Sequence, residues 1–372
     1  MQLNKANYVP ILSLKPAEMA AVEELFENEK DLILPIVELK RWANSNQISN
    51  SIKRVEKAFG NRFWIADLDA EFIESIPEKI SESEGNVKEV FYQFQRLADP
   101  SNGYQNWVEF ITQNINLIPV LQIKNVDELN LQLDNFLHLQ RPIVARLKLT
   151  ENNSITPEEL NIIIKALSVK PIHELLVILD YGDLSRRNLL EYHQYSRFIK
   201  SLYKILPHAI FTVSGTSFPY SFGRSYKGEI PIYERQIYNL VANDCPEVKL
   251  VYSDRGSSRE LTQNGGGGLP PPRIDYALKN DWRFVRKEFS EDEDNKEQLY
   301  KEAAIEIMKS DYWISNLPAW GRQMIEKTSI GDTFGITSAH RATAVRINLH
   351  LYQQLHYLEN LNEIVTEEDW ID

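Results

Sequence analysis

A lone cysteine, Cys245, in 372 residues rules out an intramolecular disulfide and fits a reducing compartment. It sits in the turn-like Asn243-Asp244-Cys245-Pro246, with no second thiol to complete a metal knuckle. No stretch approaches the roughly eighteen consecutive apolar residues of a membrane span, so no membrane insertion is expected. The opening Met-Gln-Leu-Asn-Lys lacks the basic start and apolar core of a secretion signal, and a cytoplasmic protein is expected. Basic residues are outnumbered: 41 Lys and Arg stand against 53 Asp and Glu, a formal net charge of −12. That excess disfavours nucleic acid as the partner, although a local basic pocket is compatible with it.

What is present is a repeated polarised pattern. Eight apolar β-type runs lie between Tyr8 and Asp254: Tyr8 to Lys15, Leu32 to Lys40, Arg62 to Asp69, Leu117 to Lys124, Pro142 to Lys148, Leu175 to Asp180, Ala209 to Ser214 and Lys249 to Asp254. Residues i and i+2 of a strand share a face. Each run therefore carries apolar side chains low on one face and polar ones at its carboxyl end. Helical patterns fill most of the gaps, as in Thr156-Pro157-Glu158-Glu159, where Thr156 caps and the acids meet the positive end of the dipole. Strands feeding helices in this order predict parallel pairing with right-handed crossovers. The expected fold is α/β, a TIM-like (β/α)8 barrel over residues 1–260, with an open doubly wound sheet as the rival. Residues 261–273, holding Gly265 to Gly268 and Pro270 to Pro272, read as a flexible loop. Residues 274–372 read as a mainly helical extension packed on the barrel.

Both folds place a site at the carboxyl ends of the strands. There the pattern gathers five cations (Lys15, Lys40, Lys124, Arg146, Lys148) and five acids (Glu38, Asp67, Asp69, Asp180, Asp254). Ionised groups are expensive to bury unless paired. Such a ring is either a self-compensating salt-bridge network or a polar cavity for an anionic ligand. In the second case Lys15, Glu38, Lys40, Lys124, Arg146 and Lys148 bind, while Asp67, Asp69, Asp180 and Asp254 move protons or hold a metal. No cofactor is identified; Mg2+ is the cation that Glu38, Asp67, Asp69 and Asp180 offer oxygen ligands to. None of the seven histidines falls at a strand end, against a histidine-dependent hydrolase. Ser214-Gly215-Thr216 after the seventh run and Arg255 after the eighth occupy the loops that cradle phosphate in many barrels. A further patch, Arg273, Trp282, Arg283 and Arg286, with His340-Arg341, suits a stacked base or a phosphate, or else Trp282 is core and the arginines neutralise the acidic stretch that follows.

The opening Tyr8-Val-Pro-Ile-Leu with Lys15, the run Leu34-Pro-Ile-Val-Glu-Leu-Lys40, Asp67-Leu-Asp69, Ser214-Gly-Thr-Ser217 and Asp281-Trp-Arg283 resemble the Beta protein family of bacteria and satellite phages. The resemblance runs nearly end to end. It implies an accessory or effector of an anti-phage defence cassette carried by mobile elements, with other proteins of that cassette as partners. It supplies no reaction and no catalytic positions. Three classes of function remain: an enzyme or sensor acting on a phosphate-bearing small molecule or nucleotide, a non-catalytic scaffold, and direct nucleic-acid binding, which the net charge disfavours and the patch of arginines with Trp282 keeps open.

Overall fold

The computed structural model describes residues 3–82, 85–150, 153–222, 225–259, 270–289 and 295–359. Most of the Gly/Pro-rich loop read at 261–273, including Gly265 to Gly268, lies outside the described residues. Seven of the eight runs form strands: β1 (Ile11–Ser13), β2 (Ile36–Leu39), β3 (Trp64–Leu68), β4 (Leu117–Pro119), β5 (Ile143–Thr150), which makes a short hairpin with β6 (Asn153–Ser154), then β7 (Leu175–Asp183) and β8 (Ile210–Thr216). The first four pair in parallel in the order β1-β2-β3-β4, and β5, β7 and β8 form a second parallel set. Single parallel bridges link Val120 to Val144, Phe211 to Leu250, and Tyr252 to Tyr8. The eighth run is held by such bridges and by Val9 N–H to Tyr252 O at 2.9 Å and Ile11 N–H to Asp254 O at 2.7 Å. The fold is mixed α/β with parallel sheets.

One compact apolar cluster takes a side chain from every run, among them Ile11, Ile36, Ile65, Ile118, Val144, Ile178, Ile210 and Val251. The registers Ile11 opposite Ile36, Ile36 opposite Ile65, and Ile65 opposite Ile118 stack these residues in one layer. Burying each is worth about 1.5–3 kcal/mol. The residues between them face the other way, into a larger cluster with the helices, such as Val37, Ala66, Ala145 and Val177. The helices sit where amphipathic spacing predicts: Ser49–Phe59 packs Ile52, Val55 and Phe59 inward. In Pro157–Val169 the expected Thr156 cap is completed by Glu159 as a capping box. The long connection after β3 holds three helices, Ala70–Ser81, Glu89–Leu97 and Ser101–Gln113.

The C-terminal region carries helices Lys296–Met308, Trp320–Ser329 and Ala339–Leu355, and also a sheet, of which the sequence shows only the short run Trp282 to Lys287. Its strands are β9 (Lys227–Pro231), β10 (Arg273–Ala277) and β11 (Asp281–Arg286), antiparallel in the order β10-β11-β9. Trp282, Ile274 and Tyr276 anchor a second core beneath it. Helix Ala339–Leu355 joins the two cores: Ile347 and Leu351 face the first, whereas Ala342, Val345, Leu349 and Tyr352 face the second. Spacings of three and four on each face explain why this helix is apolar on two sides.

Candidate functional site

The inner layer turns polar one residue pair above its apolar ring. Arg146, two residues beyond Val144 on β5, is fully enclosed, with 0% of its side chain exposed. Its Nη1 donates to Glu38 Oε1 and to Asp67 Oδ2, both at 2.9 Å. Its Nε and Nη2 donate to Asp180 Oδ2 at 2.9 and 2.6 Å. These carboxylates come from β2, β3 and β7, at the positions where strand alternation turns them inward. Arg255 adds a second guanidinium, donating to Asp180 Oδ2 at 2.8 Å. Burial alone raises the Glu38 carboxyl, but Arg146, Arg255 and Lys148 outweigh it and hold the group well below the carboxylate range. Burial likewise opposes ionisation of Asp180, and Arg255 with Arg146 reverses the direction.

This geometry places arginine where a cation would otherwise sit. Glu38, Asp67 and Asp180 converge on one guanidinium, and among the described residues no group of three or more acidic, histidine or cysteine side chains is arranged to hold a metal. The donor set does not fit Mg2+. Glu38 and Asp180, held ionised by the arginines, are also poor proton donors near neutrality. Their visible role is to fix Arg146 and Arg255.

The remaining strand-end residues divide into three groups. Lys40 donates to Asp69 Oδ2 at 2.7 Å, and Asp69 Oδ1 accepts from Phe72 N–H at 2.9 Å. Because β3 ends at Leu68, Asp69 serves as the N-cap of helix Ala70–Ser81. Lys124 lies beyond the end of β4, 79% exposed and 3.6 Å from Glu74. Ser214, Gly215 and Thr216 do not form the expected open turn. They are buried residues of β8, with Thr216 O accepting from Leu184 N–H at 2.7 Å and Gly215 O from Arg255 N–H at 3.2 Å. A Cβ on Gly215 would come within 2.5 Å of the Leu184 side chain. Thr216 keeps its N–H and hydroxyl inside the fold, the latter accepting from Phe218 N–H at 3.2 Å.

Asp254 points away from the inner layer. Val251 joins the inner cluster and Tyr252 the outer one, so position 254 shares the outer face with Tyr252. There its carboxylate accepts from the hydroxyls of Tyr8 and, at 2.7 Å, Tyr252, and from Gly256 N–H at 2.7 Å. His350 Nε2 lies 2.7 Å away, while Trp282 Nε1–H donates to His350 Nδ1 at 3.3 Å. That network assigns the ring proton to Nε2, so Asp254 receives four donors. Burial works against its ionisation, and His350 with the tyrosine hydroxyls overcomes it. Asp254 is thus a buried clamp between the first run, the eighth run and the C-terminal helix. His350, the two tyrosine hydroxyls and Arg235, whose guanidinium lies 3.3 Å from the Tyr252 ring centre, carried no strand-end signal.

Two clefts open above the Arg146 layer. One of about 160 Å3 is lined by Lys15, Glu18, Glu38, Lys40, Lys148, Arg255 and Arg259, among others. A neighbour of about 410 Å3 is lined by Asp67, Gln122, Lys124, Arg146, Lys148 and a more apolar wall including Ile155 and Ile163. Lys148 reaches both. Among the described residues the ammonium groups of Lys15 and Lys148 make no hydrogen bond or close ion pair, although Lys15 acts on Glu18 and Lys148 on Glu38 at longer range, and both residues are half-buried. The cleft therefore presents two ammonium groups beside acids of which Glu38 and Asp69 are already paired with Arg146 and Lys40.

A relative from Enterobacteria phage P4, "Protein beta", is 29% identical over 367 residues, covering 95% of this chain and 94% of the relative. No solved structure matches. Among the described residues no helix is long and apolar enough to cross a membrane. The Beta protein family model matches residues 8–356, from the tyrosine that clamps Asp254 to the end of the helix that carries His350, and the chain belongs to that family.

Proposed function

We propose that this protein acts in an anti-phage defence system of bacteria or mobile elements by binding an anionic, phosphate-bearing ligand at the mouth of a closed (β/α)8 barrel. Closure is supported by the bridges that carry pairing from Val120 to Val144, from Phe211 to Leu250 and from Tyr252 back to Tyr8. In this reading residues 1–260, apart from β9, build the barrel, and the described residues between 274 and 359 pack on it; residues 360–372 of the expected extension lie outside the described residues. One observation carries the ligand assignment: the ammonium groups of Lys15 and Lys148 line one cleft with no hydrogen bond or close ion pair among the described residues, while Arg146 and Arg255 pair with Glu38, Asp67 and Asp180. The mouth then binds rather than performs acid–base chemistry, with Arg146 as the rigid floor beneath the ligand.

The test is Lys15→Met with Lys148→Met, which leaves every described ion pair intact. Circular dichroism should be unchanged, and phage protection in a plating assay should fall to the level of the empty vector. A folded double variant that protects fully would overturn the proposal. It would favour a second reading, a scaffold for another protein of the same cassette, to which the self-compensated Arg146 cluster is equally suited.

A further inference from the structure

Strand β9 lies at the edge of the C-terminal sheet, paired with β11 on one side only. Arg286 N–H donates to Tyr226 O at 2.6 Å and Ile232 N–H to Asn280 O at 2.8 Å, with Gly228 opposite Phe284 between them. Backbone groups alternate sides along an antiparallel strand, so Tyr226, Gly228 and Ile230 aim theirs at β11 while Lys227 and Glu229 aim theirs outward. Among the described residues nothing hydrogen-bonds to those outward N–H and C=O groups. The side chains of Lys227 and Glu229 are 58% and 51% exposed, and Tyr226 is 57% exposed.

Open edge groups are a template for another strand, and charge or proline along the edge limits which strand can use it. Here the charges are self-complementary. Two copies of β9 laid antiparallel about Gly228 put Lys227 of each directly opposite Glu229 of the other, at the hydrogen-bonded positions of the new ladder. Each such pair lengthens a row begun by Arg283, whose Nη1 lies 2.6 Å from Glu229 Oε2, so the charges alternate in sign across the junction. On the opposite face the same register sets Tyr226 against Ile230, an aromatic against a β-branched side chain. Gly228 sits on the axis without a side chain, where a Cβ would come within 2.9 Å of the Phe284 ring. Pro231, which lacks an N–H and whose O accepts from Ser217 Oγ at 3.0 Å, ends the ladder. The neighbouring registers that keep the same faces would set Lys227 against Lys227 or Glu229 against Glu229, and like charges directly opposite are unfavourable.

We infer that β9 is the interface of a two-fold dimer of this chain, in which the three-stranded C-terminal sheets of two copies join into one. The contact is isologous, so each copy covers the other's edge and assembly stops at two. Lys227, 3.9 Å from Glu306 in the single chain, exchanges that loose pair for a direct one with Glu229 of the second copy. The surface is separate from the cleft that Lys15 and Lys148 line.

Sedimentation equilibrium of the full-length protein is the test. A contact of this size should give a concentration-dependent monomer–dimer equilibrium with a Kd of roughly 10–100 µM and no larger species. Lys227→Glu or Glu229→Lys alone sets like charges opposite on both sides of the axis and should weaken association by at least about tenfold, with circular dichroism unchanged. Mixed in equal amounts, the two variants should associate with each other as tightly as the parent does, because each supplies the charges that the other has lost. Hydrogen exchange in the peptide spanning 225–231 should slow as protein concentration rises. The inference fails if the parent stays monomeric at about 0.5 mM, if either folded variant dimerises like the parent, or if the mixture associates no better than the single variants. Exchange that is equally slow at every concentration would also overturn it, since another segment of the same chain would then cover the edge.

Discussion

Replacing Arg146 with Met probes the centre of the inner charged layer most directly. Methionine fills much of the same volume but leaves three carboxylates facing a neutral side chain. Asp180 keeps Arg255 at 2.8 Å, and Asp67 keeps Leu68 N–H at 2.8 Å and Gln122 at 3.3 Å. Glu38 retains Arg255 at 3.9 Å and the longer-range charge of Lys148. Removing one partner of a buried ion pair costs roughly 3–5 kcal/mol. With partial compensation by Arg255, about 4 kcal/mol is expected at pH 7. In a chain of this size that is a fall of roughly 5 °C in Tm, if the molecule unfolds as one unit. The pH dependence gives the sharper test. In the parent, Glu38 and Asp180 titrate below their unfolded values, so their stabilisation is present above about pH 4.5 and is lost as pH falls towards their folded values. Without Arg146 the uncompensated Glu38 moves the other way, and the variant should lose stability as pH rises from about 4.5 to 7. Urea unfolding followed by tryptophan fluorescence at several pH values between these limits would show it. A variant within about 1 kcal/mol of the parent at pH 7, or one whose deficit grows on acidification, would refute the reasoning.

The buried clamp makes its own prediction. Asp254→Asn presents an amide N–H2 to a cluster of donors and should destabilise by about 3 kcal/mol, with faster hydrogen exchange in helix Ala339–Leu355. Glu234 is buried, accepts from Ser217 N–H at 3.0 Å, and is pushed up to about 8, chiefly by burial and then by Asp254. A raised carboxyl leaves stability intact below its unfolded value near 4.3 and erodes it as pH climbs towards 8. Glu234→Gln should therefore be more stable than the parent at pH 8, with the advantage vanishing near pH 4 in urea titrations.

Much of the architecture is legible from alternation alone. Ile36 to Glu38, Ile65 to Asp67, Val144 to Arg146 and Ile178 to Asp180 each step two residues from the apolar layer to the charged one, as a strand must. The eighth run is ambiguous because Leu250, Val251 and Tyr252 are apolar in succession, so periodicity does not choose a face, and the inward place expected for Asp254 is not the one it takes. No turn forms at Ser214 because β7 continues to Asp183 and keeps Thr216 paired, an extension that the local sequence does not show. Strand β9 escaped notice because its partner β11 lies some fifty residues later, and no local pattern encodes that pairing. The meaning of the acids was equally out of reach. A sequence shows carboxylates at one level, but whether they surround a metal, a substrate or a guanidinium depends on which strand supplies the cation.

Helix Ala339–Leu355 has a consequence for biosynthesis. Asn348 donates to Ala21 O at 3.0 Å, His350 meets Asp254 at 2.7 Å, and Gln354 accepts from Arg235 at 2.7 Å. Elements emerging first from the ribosome thus wait for some of the last to be translated. Until then the polar groups of Ala21, Arg235 and Asp254 lack those partners, and a product broken off before residue 339 should be an early substrate for proteases.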